Sequence, residues 1–294
     1  MLVVDWGTTN LRAYLCKDDG AINKRVTDVR GIKTVAHKDY SLVMRDILSA
    51  LDAEDAQIFI SGMAGSRGGW QEVPYCQAPV DLSMIAKALM PLPQAFNGYL
   101  VPGVRMMAED GTSDVIRGEE IQVFGAINSL GLDDALLCLP GTHSKWVQVR
   151  ERRIQRFMTF MTGDLFQALG QTILSCKAEE RLDSQAFLAG IDAVKVTSGG
   201  LLHQLFTART RMLDKTLAES SVSSFVSGLL LGHELHQAEH FMVDQSKIIV
   251  IGSEQLVVRY QMALEHLLAQ VEVLGSDIAT CSGIAALRKH LVVN

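Results

Sequence analysis

An apolar run that breaks into Gly-Thr occurs twice in this chain, and the repeat constrains the architecture more than any other feature. The first copy is LVVDWGTTNLRAYL from Leu2, and the second is LLCLPGTHSKWVQV from Leu136. Each copy has an apolar run, a Gly-Thr pair, a few polar residues and a second, alternating run. Alternation on both sides of a turn predicts a β-hairpin. Two such hairpins predict two domains of like construction serving one ligand. At 294 residues the chain is long enough for two cores. No linker or change of composition marks a boundary, so the repeat sets it, giving domains 1–125 and 126–294.

The stretches between the hairpins read as a mixed α/β sheet. A helical pattern covers 45–52, and an apolar strand over 56–65 runs into GMAGSRGGWQEVPYCQAPVD at 62–81. Glycine and proline break regular structure there, and a long irregular loop in a compact domain is often functional. The segment 114–130 reads as a helix with Ser113 or Asp114 at its N-cap. The second hairpin spans 136–156. Helices are predicted over 163–175, 183–191, 197–213, 220–240, 254–271 and 278–290, with strands over 247–253 and 271–275.

Composition excludes several functions. A net charge of −6 lacks the basic excess that holds a nucleic-acid backbone. The longest apolar candidate, 225–232, falls well short of the roughly 20 residues that span a bilayer. No basic region precedes the first apolar residues, so no secretory signal is expected. Cys16, Cys76, Cys138, Cys176 and Cys281 are scattered and odd in number. That predicts no disulfide framework or zinc ribbon, and a cytoplasmic location.

The Gly-Thr turns suggest an anion cradle. Glycine tolerates positive φ and a close ligand, and successive backbone N–H groups form an anion-binding nest. The candidates are Gly7, Thr8, Thr9 and Asn10 in the first turn, with Gly141, Thr142 and His143 in the second. The plain alternative is two tight hairpins. Neither a Walker P-loop nor the Rossmann glycine pattern is present. Asp5, at the end of an apolar strand, needs a partner or a cation. One carboxylate beside phosphate oxygens suits Mg²⁺. The equivalent position in the second copy is Leu139. Gly252-Ser253 ends an apolar strand ahead of a helix, a junction where adenine or ribose can lie on the backbone.

DWGTTN, LPGTHSKW and VIGSEQ resemble, in order and spacing, the phosphate-1, phosphate-2 and adenosine segments of the actin/chaperone/sugar-kinase superfamily. More narrowly, GMAGSRGGWQEVPY, DVIRGEEIQ, LPGTHSKW and TFMTGDLF resemble the bacterial 2-dehydro-3-deoxygalactonokinases. The resemblance implies an α/β protein of two ribonuclease-H-like domains around a central cleft, the actin-like ATPase or sugar kinase fold. It implies transfer of the ATP γ-phosphate to the 6-hydroxyl of 2-dehydro-3-deoxy-D-galactonate, with ATP and Mg²⁺ as cofactors. It also implies a catalytic base ahead of the second phosphate segment. Asp114 is the first choice on the predicted helix start, and Glu119 and Glu120 are rivals.

A sugar-acid substrate calls for a cation at its carboxylate, and arginine provides two parallel donors. Arg67 is the first candidate, then Arg117 and Arg105, with Ser66 beside them. Arg12 faces phosphate or an acidic neighbour. Trp70 and Tyr75 either wall the sugar pocket or belong to a core. Lys145 reads as a solvated strand charge, and Met158 and Met161 as core filler. His233, His236 and His240 share a helical face, which reads as a polar face rather than a metal site. The rivals are a kinase of another sugar acid or sugar, and a nucleotide-switched binding protein of actin or chaperone type. Partners beyond the small-molecule substrate are not expected, and a homodimer stays open.

Overall fold

The computed structural model describes residues 1–291 apart from 94, 109, 173, 175–181, 197 and 243–246. β1 (Leu2–Trp6) and β2 (Leu11–Cys16) form the first hairpin, with Trp6 opposite Leu11. β3 (Ile22–Asp28) extends it, and α1 (Tyr40–Leu51) follows. The Asp39 carboxylate caps α1 by accepting from Leu42 N at 3.0 Å. Its buried residues, Tyr40, Val43, Met44, Ile47, Leu48 and Leu51, fall at helical spacing and cover Leu2, Val4 and Trp6 of β1.

β4 (Ile58–Gly62) lies parallel to β1, and Asp5 and Trp6 pair with Ser61 and Gly62. Next come β5 (Cys76–Gln77), α2 (Leu82–Lys87), β6 (Met90–Pro91), β7 (Gly98–Leu100), β8 (Val104–Met107), β9 (Ser113–Ile116) and α3 (Glu119–Leu130). The main sheet has the order β3-β2-β1-β4-β7-β6, and β5, β8 and β9 make a small sheet beside it.

The second hairpin pairs β10 (Ala135–Leu139) with β11 (Ser144–Arg150), and β12 (Arg153–Phe160) extends it. α4 (Thr162–Leu169), α5 (Ser184–Val196), α6 (Gly200–Leu213) and α7 (Val222–Met242) lead to β13 (Lys247–Gly252), which lies parallel to β10. α8 (Glu254–His266), β14 (Gln270–Gly275) and α9 (Ser276–Lys289) complete the chain. The sheet order is β12-β11-β10-β13-β14. Each sheet therefore carries the same local plan. A hairpin strand pairs in parallel with the strand that returns from a helical crossover.

The described chain forms two compact units. One comprises Met1–Ala135, Val147–Phe157 and Leu274–Asn294, and the other Leu136–Trp146 and Met158–Val273. In the first unit α9 packs on α3, and in the second α5 packs on α7. Among the described residues no helix is long and apolar enough to cross a membrane. Cys16, Cys76, Cys138 and Cys281 are buried free thiols, and Cys176 lies outside the described residues.

The structure corrects several sequence expectations. The predicted helix over 114–130 divides in two, because Gly118 (φ 107°) breaks it. Ser113 and Asp114 pair with Met107 and Met106 in a β-ladder and cap no helix. The predicted helix over 163–175 ends at Leu169, and its positions 173 and 175 lie outside the described residues. Lys145 is buried, not solvated, and its ammonium donates to the His143 carbonyl at 3.2 Å. Met158 packs on the second core as expected, but Met161 is exposed.

Candidate active site

In the first unit, the turn after β1 is held from behind by its own backbone. The carbonyls of Gly7, Thr8 and Thr9 accept from the N–H groups of Ile32, Lys33 and Gly31 at 3.0, 3.2 and 3.1 Å. Among the described residues, the N–H groups of Thr8, Thr9 and Asn10 donate to no backbone carbonyl. Carbonyls turned inward and successive N–H groups left over make the anion cradle chemically sound. The reason is not the one read from sequence, since neither Gly7 nor Gly141 adopts positive φ. The indispensable glycine is Gly31, where a Cβ would stand 2.3 Å from the Thr9 carbonyl carbon.

Asp5, next to last in β1, has its side chain 20% exposed and Arg12 at 3.5 Å, so it is the acidic neighbour expected of that arginine. Burial pushes the Asp5 carboxyl above its ordinary range, Arg12 partly offsets this, and Glu119 adds repulsion. Gly62 (φ 88°) leaves the adjoining space open, because a Cβ there would lie 2.8 Å from the Trp6 carbonyl oxygen and 3.4 Å from Asp5 Oδ1. The ends of β1 and β4 and the start of α3 thus bring two carboxylates, Asp5 and Glu119, within mutual influence.

The helix start itself is self-capped. Gly118 offers no side chain, so Glu119 accepts from Arg117 N at 2.9 Å and Glu120 from Gly118 N at 2.7 Å. Glu120 is fully buried, and burial, reinforced by Glu119, pushes it up to about 8. It is protonated at neutral pH and therefore poorly suited to accept a proton.

Tyr75, Arg105 and Arg117 come together. The Arg117 guanidinium lies 4.2 Å and that of Arg105 5.3 Å from the Tyr75 ring centre. Arg117 also donates to the Val73 carbonyl at 2.8 Å, tying it under the irregular loop. Arg105 is exposed. The other candidates do not join this group as ligands-in-waiting. Arg67 is exposed, and the Ser66 hydroxyl is used on the Met63 carbonyl at 2.8 Å. Trp70 belongs to an aromatic cluster with Trp6, Tyr40 and Phe96, which is the core reading of that residue.

In the second unit, the turn after β10 is braced by the start of α4. Asp164 N donates to the Thr142 carbonyl at 3.0 Å, and His143 Nε2 lies 3.4 Å from Asp164 Oδ2. Thr142 and His143 are exposed. A Cβ at Gly252 would lie 3.6 Å from Pro140, so the ends of β13 and β10 adjoin. Ser253 is the N-cap of α8 without a side-chain capping bond. A cleft of about 60 Å³ opens among these elements, lined by Gly141, Thr162, Phe166, Leu230, Arg259 and Tyr260 among others. Of the residues singled out from sequence only Gly141 lines it. Thr162 lay within the quoted TFMTGDLF motif, whereas Arg259 and Tyr260 follow on the helix after VIGSEQ and carry no local signal.

Among the described residues no cluster of three or more His, Cys, Asp or Glu is placed to hold a metal. His233 contacts Gln204 Oε1 at 2.6 Å, His236 lies 3.3 Å from Glu239, and His240 contacts the Gln237 carbonyl at 2.8 Å. Mg²⁺ is the ion that suits Asp5, since it needs only one or two carboxylates plus water and phosphate oxygens. A cation would also relieve the burial and repulsion that Asp5 bears.

Residues 5–287 match the 2-keto-3-deoxy-galactonokinase family. The chain belongs to that family. It is 32% identical over 295 residues to the 2-dehydro-3-deoxygalactonokinase of Escherichia coli K12, covering 100% of this chain and 98% of that one. A Sinorhizobium meliloti crystal structure assigned to the same activity superposes with a TM-score of 0.91 at 31% identity, covering 99% and 98% of the two chains. The fold extends further. The activator of 2-hydroxyisocaproyl-CoA dehydratase from Clostridium difficile, solved with ADPNP, matches with a TM-score of 0.56 at 10% identity over 100% and 96% of the chains. The protein is thus a carbohydrate kinase with the actin-like ATPase fold, as the resemblance implied.

Proposed function

We propose that this family member transfers the γ-phosphoryl group of ATP to the 6-hydroxyl of 2-dehydro-3-deoxy-D-galactonate, with Mg²⁺ as cofactor. The assignment of roles rests on one observation, the placing of Asp5 and Glu119 together beside a turn with inward carbonyls and outward N–H groups. The Thr8, Thr9 and Asn10 N–H groups would take phosphate oxygens. Asp5 would hold Mg²⁺, which when bound neutralises charge on the phosphoryl group. Glu119 is the group assigned to accept the hydroxyl proton. Asp114 keeps its place only as a rival, because it sits on a strand rather than at the helix start. Positioning and charge neutralisation supply most of the acceleration in such reactions, so the base is the smaller term.

For the substrate carboxylate, the exposed Arg105 is assigned ahead of Arg67, with Tyr75 and Arg117 fixing its direction. The second unit is assigned to the nucleotide, through Gly141, Thr142, Gly252 and the cleft beside them. The test is a coupled ADP-release assay with Mg-ATP against 2-dehydro-3-deoxygalactonate, its gluconate epimer and galactose. Turnover with the first and little with galactose supports the reading. ADP release that ignores every sugar would overturn it in favour of an ATPase.

A further inference from the structure

α7 is apolar along most of its length, yet one carboxylate stands in its middle. Glu234 is 2% exposed. Its Oε2 accepts from Ser144 Oγ at 2.7 Å, from the Tyr260 hydroxyl at 2.9 Å and from the Thr162 hydroxyl, while Oε1 accepts from Trp146 Nε1 at 2.9 Å. The four donors come from β11, the start of α4 and α8. Two of them, Thr162 and Tyr260, line the cleft of this unit. Ser144 directly follows the Gly141–His143 turn.

A packed hydrophobe of like volume would fill such a place at less desolvation cost. What the carboxylate adds is direction. A hydroxyl has one hydrogen, and Glu234 takes it from Ser144, Thr162 and Tyr260 alike. Thr162 and Tyr260 are then left with lone pairs only for anything in the cleft. Lone pairs repel phosphate oxygens and welcome N–H or O–H donors, such as an exocyclic amine or a ribose hydroxyl.

We propose that Glu234 is a positioning residue for the nucleoside part of the nucleotide. It ties the start of α4 to α8 and orients the Thr162 and Tyr260 hydroxyls as acceptors. The proposal rests on the assignment of this unit to the nucleotide.

Glu234→Gln tests it with little change of volume, because an amide nitrogen in the place of Oε2 accepts from none of the three hydroxyls and offers two N–H donors, so their hydrogens must turn. The probes are ADP and inorganic tripolyphosphate, titrated by calorimetry, with KM measured separately for ATP and the sugar acid. The ADP Kd and the ATP KM should rise about tenfold, the size of a lost charge-assisted hydrogen bond. Tripolyphosphate binding and the sugar-acid KM should stay within about twofold, because neither involves the nucleoside. If the Gln variant does not fold, Tyr260→Phe and Thr162→Val each remove one hydroxyl and should weaken ADP by about threefold to tenfold.

A lower melting temperature with unchanged ADP affinity would reduce Glu234 to a structural role and overturn the proposal. So would equal weakening of ADP and tripolyphosphate. A wild-type protein that turns over no sugar acid with ATP fails the proposed function instead, so the two failures are told apart by the wild-type assay.

Discussion

The two Gly-Thr turns share a sequence pattern and a place in their sheets, yet they handle negative charge in opposite ways. In the first, the acid stands at the strand end. Asp5 is partly exposed, and Glu119 adds to its charge. In the second, the equivalent strand position is the buried Leu139, and the acid lies behind the hairpin as Glu234, consumed by four donors. The same hairpin can thus carry a half-buried carboxylate within its first strand or pack against a buried one from a neighbouring helix. What decides is whether the donors that satisfy the acid come from the protein or are left for a ligand and its cation.

The largest effect should come from the exposed-acid side. Asp5→Asn should lower kcat/KM by about a thousandfold or more, the scale of losing charge stabilisation at a transferring phosphoryl group. Its melting temperature should hold or rise. Burial raises the folded-state pKa of Asp5, so ionisation costs folding stability at neutral pH, and the amide removes that cost. A thermal melt that collapses together with activity would make Asp5 a structural acid and dissolve the contrast.

Next, Glu119→Gln should cut kcat by about a hundredfold, within the range for removing a general base, with both KM values nearly unchanged. Asp114→Asn should leave steady-state turnover close to normal. The reverse ranking would return the base to β9. A smaller effect is expected at the sugar-acid end. Arg105→Ala should raise KM for the sugar acid about tenfold while leaving that for ATP alone, and Arg67→Ala should do much less. Equal effects of the two substitutions would break the assignment of the Tyr75 group.

A separate effect, on stability rather than turnover, concerns the buried neighbour of these half-buried acids. Glu120 has a folded-state pKa of about 8 against an ordinary 4.5. Between these values the folded protein holds a proton that the unfolded chain has lost. Stability from this group therefore declines as pH rises through that window and is fully present only below it. Urea unfolding of Glu120→Gln should show a flatter dependence over the same window. An unchanged slope would place the titration elsewhere.

Much of this was legible in the residues. The two hairpins, the crossover to β13 and the long apolar α7 follow from period and from turn chemistry, which act within a few residues of each other. The break at Gly118 was harder to read. In DVIRGEEIQ the β-branched Val115 and Ile116 before the glycine favour a strand and Glu119 and Glu120 after it favour a helix, and the pairing of Asp114 with Met106 across β8 and β9 fixes the first half as a strand. Glu234 carried a faint signal, an acid just after the apolar run Leu229–Gly232 and flanked by His233 and Leu235. Arg259 and Tyr260 carried none, since an arginine and a tyrosine on a helix face are ordinary.

The sequence alone determined the α/β plan with its two Gly-Thr hairpins and the family, because each rests on local spacing. The tertiary structure decided which acids are buried and which donors they consume. Those properties depend on burial and on partners up to 90 residues away, as with Ser144 and Glu234, and no local pattern encodes a distance through space.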